Sequence, residues 1–470
     1  MTILIKGGIH ISATGSAPSE VVVDGERIVA LLDPGSELAA TAESSAQRVI
    51  DATGKYVIPG GVDVHTHMEL PLAWATSSDT FETGTRAAAW GGTTTIIDFA
   101  TQSIGGTLRE GFEAWMAKAE GNCAIDYGFH MAMADVNASS LKEMDTMVDE
   151  GLSSFKLFMA YPGSMYSDDG QILRAMQQAA GNGGMIMMHA ENGIAIDVLA
   201  EQAVERGETA PIHHGYARRE ALESEAVHRA IKLARVGAAP LYIVHLSASE
   251  ALEEVARART RGANVFAETC PHYLYLSLED HLGKPGFDGA GYVCSTPLRS
   301  KHEHHAADLW KGLRTDELSV VSTDHCPFCM NGQKDLGRDD FRLIPNGIGG
   351  VEHRMDLIYQ GVAAGEISLA RWVELCSTTP ARMFGLYPRK GVIQPGSDAD
   401  IVVYDPTATW SISVDNHHMN LDYSAYEGFE LTGKVDTVLS RGRVIVEHGN
   451  YLGRPGDGRF LRRGLSSYLR

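Results

Sequence analysis

Cysteine is scarce in this chain. The six cysteines, at positions 123, 270, 294, 326, 329 and 376 of 470, are scattered, which excludes the dense disulfide framework of a small secreted scaffold. Basic charge is short as well: 40 Lys and Arg stand against 60 Asp and Glu, for a formal net charge of -20, and this disfavours a nucleic-acid backbone as partner. No uninterrupted apolar run reaches the ~20 residues that a membrane-spanning helix needs. The opening Met1-Thr2-Ile3-Leu4-Ile5-Lys6-Gly7-Gly8 lacks a basic segment followed by an apolar core and cleavage site. Together these absences predict a cytoplasmic protein with reduced thiols, no nucleic-acid partner and no membrane partner. A hydrophobic content of 44% provides for one large core and a second, smaller unit.

The first fifty or so residues read as short strands with turns and no helical period: Ile3 to Ile5, Ile9 to Ser12, Glu20 to Val23, Arg27 to Leu32 and Arg48 to Asp51. The same texture returns in Ala399 to Tyr404, Val435 to Leu439 and Arg443 to Val446. Between these ends, eight apolar strands alternate with helix-length amphipathic segments. They lie around Val62, Thr94 to Phe99, Ala124 to Met133, Phe155 to Met159, Met185 to Met188, Leu241 to Val244, Asn264 to Glu268 and Ser319 to Ser322. Eight such units predict an α/β fold, a (β/α)8 TIM-like barrel with a β-sandwich domain built from both termini. The expected division is 1–56 for the first part of the sandwich, 57–388 for the barrel, and 389–470 for the rest of the sandwich and a C-terminal tail.

Chemistry concentrates where the strands end. His65-Thr66-His67 follows the apolar stretch Tyr56 to Val64, and side chains two apart on a strand share a face, so both imidazoles can reach one cation. Four later strands also carry a titratable group in or just past the run: Lys156, His189, His245 and Asp324. Burying such groups unpaired costs several kcal/mol, and metal ions are the common partner that would satisfy them all.

Several strings then carry a family resemblance. They are Gly61 to His67, Gly91 to Phe99, Phe158-Met159-Ala160-Tyr161, His189-Ala190-Glu191-Asn192-Gly193, Glu268-Thr269-Cys270-Pro271, Pro297-Leu298-Arg299, Gln333 to Gly337, Ile344-Pro345-Asn346-Gly347 and Gly396 to Asp400. Over nearly the whole chain this combination resembles dihydropyrimidinases and D-hydantoinases, the cyclic amidohydrolases. The resemblance implies a binuclear metal centre in the barrel mouth and a homotetramer. It also implies the ligand set: His65, His67 and Asp324 on one ion, His189 and His245 on the other. Lys156 would bridge them as a carbon dioxide adduct, N6-carboxylysine. Zinc suits this mixed donor set, with manganese and cobalt as alternatives.

A water shared by two such ions is acidified to a nucleophile and the substrate carbonyl is polarised. By the same resemblance Tyr161 donates to the oxyanion and Asp324 moves the proton to the leaving nitrogen. The main chain at Ser295 and Asn346 binds the ureide, and Leu70, Leu72, Phe158 and Met165 gate its substituent. The implied reaction is hydrolysis of a small-molecule cyclic ureide, a 5,6-dihydropyrimidine or 5-substituted hydantoin, to an N-carbamoyl amino acid. Allantoinase is the runner-up. Dihydroorotase fits less well, since Glu69 stands where it has a substrate-binding Arg, and a non-catalytic dihydropyrimidinase-like scaffold would lack the ligands retained here. Ala73-Trp74 and Ser295-Thr296-Pro297 depart from the common hydantoinase pattern. Other features read as structural: His302, His304 and His305 as solvated, His213 and His214 as loop, Cys326 and Cys329 as thiols exposed beside the mouth.

Overall fold

The computed structural model describes residues 1–469. The eight apolar runs form one parallel sheet: β1 (Gly61–Thr66), β2 (Thr93–Thr101), β3 (Asp126–Ala132), β4 (Ser154–Phe158), β5 (Met185–His189), β6 (Leu241–Ile243), β7 (Val265–Thr269) and β8 (Val320–Val321), each paired with the next. Helices between the strands cover the outside, so the strands are buried on both faces. Side chains alternate with the two-residue strand period. Ile186 and Met188 of β5 pack outward against the helices, while Met185 and Met187 pack inward with Val62, Phe99 and Tyr242. Several helices begin at a side-chain cap: Thr80, Thr107, Asn137 and Asp168 each accept the N–H three residues on.

The barrel closes between β1 and β8 through a seam built partly from side chains. One parallel bridge joins Thr66 to His325, with His67 N–H donating to His325 O at 2.8 Å. Deeper in the seam the buried Arg354 guanidinium donates to Val62 O at 3.1 Å and Val321 O at 2.9 Å. Asp63 accepts from Thr323 N and Oγ1 at 3.2 and 2.6 Å. The register of β1 against β2 shifts between Asp63 and Thr66, a bulge of the kind that re-aims side chains beside functional sites.

The chain ends build two more sheets. Segments 2–6, 20–24, 27–32 and 48–51 make one of four strands, while 9–12, 15–18 and 56–59 join 401–411, 430–440, 443–447 and 450–451 in one of seven. Segment 56–59 pairs antiparallel with 401–411 and so binds the two termini together. Ile3, Val21 and Ile50 of the first sheet pack with Val57, Ile401 and Leu439 of the second.

Three expectations are corrected here. The first fifty residues do hold a helix, Glu37–Ser45, capped by Ser36 and burying only Ala39; a helix held by propensity and a cap, with almost no buried face, shows no apolar period. His213 and His214 belong to the short helix Ile212–Ala217 and His214 is buried. His305 opens helix His305–Thr315 and is buried, because its Nδ1 accepts the Ser249 N–H at 3.1 Å. Its Nε2 keeps the ring proton and faces Glu303 at 2.7 Å, so the cluster of His305 with Glu220 and Glu303 offers a proton where a metal needs a lone pair.

Candidate metal centre

The C-terminal ends of the strands open into a cavity of about 590 Å³, lined among others by His67, Lys156, His189, His245 and Asp324. His65 lies beneath them, fully buried. Asp324 Oδ1 is 3.0 Å from His65 Nε2 and 3.2 Å from His67 Nε2, and Lys156 Nζ is 2.9 Å from His65 Nε2. On the other side His189 Nδ1 and His245 Nε2 are 2.9 Å apart. The six ligand candidates thus fall into the two groups that the resemblance implies, and Lys156 lies against the first.

Backbone geometry contributes to this convergence. Lys156 and His189 continue the inward period of β4 and β5. His245 does not: Tyr242 and Val244 face inward, and a left-handed φ of 38° at His245 turns the next side chain to the same side. Asp324 and Tyr161 also take left-handed φ, 49° and 64°, which L residues rarely adopt and which clusters at functional sites.

The ring protons decide whether these imidazoles can hold a metal. His65 Nδ1 bonds Glu268 Oε1, a carboxylate also held by the Tyr242 hydroxyl at 2.8 Å. A carboxylate accepts only, so Nδ1 carries a proton held by Glu268, and Nε2 is the nitrogen that faces Asp324 and Lys156, the one whose lone pair a metal ion there would take. His189 is fixed in the opposite sense. Its Nε2 donates to Glu191 Oε2 at 2.7 Å, and Arg218 holds the same oxygen at 2.6 Å, which leaves Nδ1 as the lone pair facing His245. Buried His67 Nδ1 and His245 Nδ1 have no partner among the described residues. Burial draws His67 down to about 4 and lowers His189 and His245 too, so these three rings are neutral near pH 7; at His65 burial and Lys156 are outweighed by Asp324 and Glu268, which raise it. Burial also draws Lys156 down to about 8. Asp324 is held well below the usual carboxylate range, burial being outweighed by His65 and His67. The donor set is that of a divalent metal site.

Above the ligands, Tyr161 sits with its ring 5.2 Å from that of His189. Burial raises its pKa, keeping a phenol that can donate, while Arg218 and the side chains of Ser295 and Asn346 oppose that rise. Asn346 Nδ2 donates to Ser295 Oγ at 3.1 Å. Leu70, Leu72, Phe158 and Met165 all line the cavity, with Trp74 at its rim, half exposed at 51%. Cys326 lines it too but is buried, with its thiol pushed up by that burial, and Cys329 is half-buried; the expectation of exposed thiols fails because the loop after β8 folds inward.

The sequence reading gave no role to Glu191, Glu268, Arg218 or His214. Glu191 was findable, two residues beyond His189, but Glu268 and Arg218 meet their partners only through the fold.

Residues 56–445 match the amidohydrolase family model. The chain belongs to the amidohydrolase family. This amidohydrolase is 63% identical over 466 residues to the D-hydantoinase of Streptomyces coelicolor, covering 99% of each chain. It is 47% identical to that of Ralstonia pickettii over 98% of this chain and 99% of the relative. Among solved structures, the dihydropyrimidinase of Brevibacillus agri NCHU1002 matches with a TM-score of 0.95 at 43% identity, over 99% of both chains. These likenesses put the amidohydrolase in the dihydropyrimidinase and D-hydantoinase branch.

Proposed function

We propose that this chain hydrolyses the cyclic amide bond of 5-substituted hydantoins or 5,6-dihydropyrimidines to N-carbamoyl amino acids. The observation that carries the reading is the proton placement: Glu268 and Glu191 hold ring protons of His65 and His189 on the outer nitrogens, so the inner nitrogens face the cavity floor, where a metal ion would take their lone pairs. His65, His67 and Asp324 would hold one divalent ion, His189 and His245 a second, with Lys156 between them as N6-carboxylysine. Zinc is the first choice for this donor set. When bound, such ions acidify water and polarise an amide carbonyl.

The chain's own residues do the rest. Asp324, ionised and acceptor-only, takes the proton of the attacking water and delivers it to the departing ring nitrogen. The Tyr161 phenol donates to the oxyanion that develops as the ring opens. Main-chain groups at Ser295 and Asn346 hold the planar ureide edge, and Leu70, Leu72, Phe158 and Met165 form the pocket for the substituent. We further read the protein as a cytoplasmic homotetramer; the free state of all six cysteines supports a reducing compartment, and exposed Ile194, Val198 and Tyr216 support a partner copy.

Elemental analysis with a turnover panel of dihydrouracil, 5-substituted hydantoins and allantoin tests this. The expectation is about two divalent ions per chain and ring opening abolished by chelation. Full activity in metal-free protein, or turnover of allantoin alone, would sink the proposal.

A further inference from the structure

One fully buried cation has no part in the scheme above. Lys334 sends its ammonium to three main-chain carbonyls: Val293 O at 3.0 Å, Pro345 O at 2.8 Å and Gly347 O at 2.9 Å. Burial draws its pKa down to about 7, and three carbonyl acceptors, matching the three donors of an ammonium, favour the charged form, whose hydrogen bonds are the stronger ones. The carbonyls come from two separate stretches of chain, and each stretch carries one end of the ureide-binding edge, Ser295 in the first and Asn346 in the second.

The two stretches also meet directly. Gly347 N–H donates to Val293 O at 2.9 Å, and a Cβ on Gly347 would come within 2.0 Å of Cys326 O, so this segment is wedged against the loop that follows Asp324. His214 Nε2 donates to Cys294 O at 2.8 Å. Carbonyls on either side of Ser295 and Asn346 are therefore occupied by fixed donors, and the two residues between them are left to face the cavity.

The next residue back reaches the gate. Gln333 Nε2 donates to Thr76 O at 2.6 Å, and its Oε1 accepts from Cys329 N at 2.6 Å. Thr76 lies two residues beyond Trp74, in the loop that carries Leu70 and Leu72, and pairs across it with Pro71. Adjacent side chains of one short turn thus hold the ring-recognition edge on one side and the foot of the gate on the other.

We propose that Gln333 and Lys334 are positioning residues, Lys334 setting the spacing of the Ser295 and Asn346 segments that grip the ring, and Gln333 setting the gate loop that selects the substituent. The assignment rests on the cyclic-ureide reading and names which residues tune that same site. A misplacement of about 1 Å at a reacting group costs on the order of 100-fold in rate, so a loosened edge is visible in kinetics while the metal ligands stay in place.

The test compares hydantoin with 5-phenylhydantoin on the metal-loaded full chain. Wild-type turnover comes first, since its absence overturns the cyclic-ureide reading itself. In Lys334→Met the expected result is a fall of tenfold or more in kcat/KM for both substrates, with KM rising, bound metal at the wild-type level and the ratio between substrates moved less than twofold. In Gln333→Ala the ratio itself should shift threefold or more. Lys334→Gln, which keeps a shorter donor, replaces the methionine variant if that one does not fold, and should show the same fall in smaller degree. Wild-type kcat/KM in a folded Lys334 variant, a fall accompanied by metal loss, or an unchanged ratio in Gln333→Ala would overturn the assignment while leaving the reaction class standing.

Discussion

Glu268→Leu is the sharpest test of the proton-placement argument, because it removes a carboxylate that lies behind the metal centre and touches no substrate. In the native chain Glu268 fixes His65 with its proton on Nδ1, takes the Tyr242 hydroxyl at 2.8 Å and accepts the His245 N–H at 3.3 Å. Leucine accepts none of them. The His65 ring then distributes its proton between both nitrogens, and the form protonated on Nε2 has no lone pair to offer. Loss of such an outer partner typically costs 10- to 100-fold in metal affinity, or roughly 1.4–2.8 kcal/mol. The stranded Tyr242 O–H adds a separate stability cost of about 1–3 kcal/mol. Tyr242→Phe separates the two effects: it removes the second donor, leaves Glu268 on His65, and should keep metal affinity within about threefold of wild type. Chelator-competition titration of zinc into the metal-depleted proteins measures affinity, and thermal melts of the loaded proteins measure stability. A folded Glu268→Leu protein that binds zinc as tightly as wild type would refute the argument, since His65 would then be presenting its lone pair without help.

Further expectations follow from the same geometry. Lys156→Ala should lose most activity and recover part of it with added short carboxylic acids that fill the vacated space, as read by turnover with and without acetate; wild-type turnover without acid would remove the bridging role. Asp324→Asn should lower turnover by roughly 10²- to 10⁴-fold with circular dichroism unchanged, and Tyr161→Phe by about 10²-fold. Leu72→Ala and Met165→Ala should raise kcat/KM for 5-aryl hydantoins relative to dihydrouracil, each lost methylene being worth about 1–3 kcal/mol; a constant ratio would take these residues out of the substituent pocket. Burial pushes Asp356 up to about 7, so the folded state binds a proton that the unfolded chain releases near pH 4. Stability from this group is full below pH 4 and is lost as pH rises through 7, by an amount on the order of 4 kcal/mol. Asp356→Asn should therefore flatten the fall in denaturation midpoint between pH 5 and 8, and a parallel fall in both proteins would refute it.

Strand β5 shows why the barrel was legible in the sequence. Met185 to Met188 is apolar on both faces, which only a covered parallel strand tolerates, and His189 continues its inward period. The His65-Thr66-His67 pair was legible for the same reason, an alternation that needs no knowledge of distant chain. Helix Glu37–Ser45 was not, since one buried alanine leaves no period to read. His245 was legible only as a strand-end histidine: its inward aim depends on the left-handed φ, and nothing in Ile243-Val244-His245-Leu246 marks that turn.

What escaped the sequence is the layer of groups that decides which atom of each ligand faces the cavity. Glu268 is 203 residues from His65, and whether that carboxylate meets Nδ1 or Nε2 depends on how β7 registers against its neighbours around the barrel. Asp63 and Arg354 act in the same way on the seam, taking the place of a ladder that β1 and β8 do not form. Lys334 extends this logic to the substrate side. A lysine in a polar loop reads as solvated, and only the fold reveals three carbonyls around its ammonium. Residues that make chemical bonds announce themselves by type and position along a strand. Some residues that orient them, Glu268 on His65 and Arg354 on Val62 among them, do so across two hundred positions or more, and for those the tertiary structure is the first place where the signal exists.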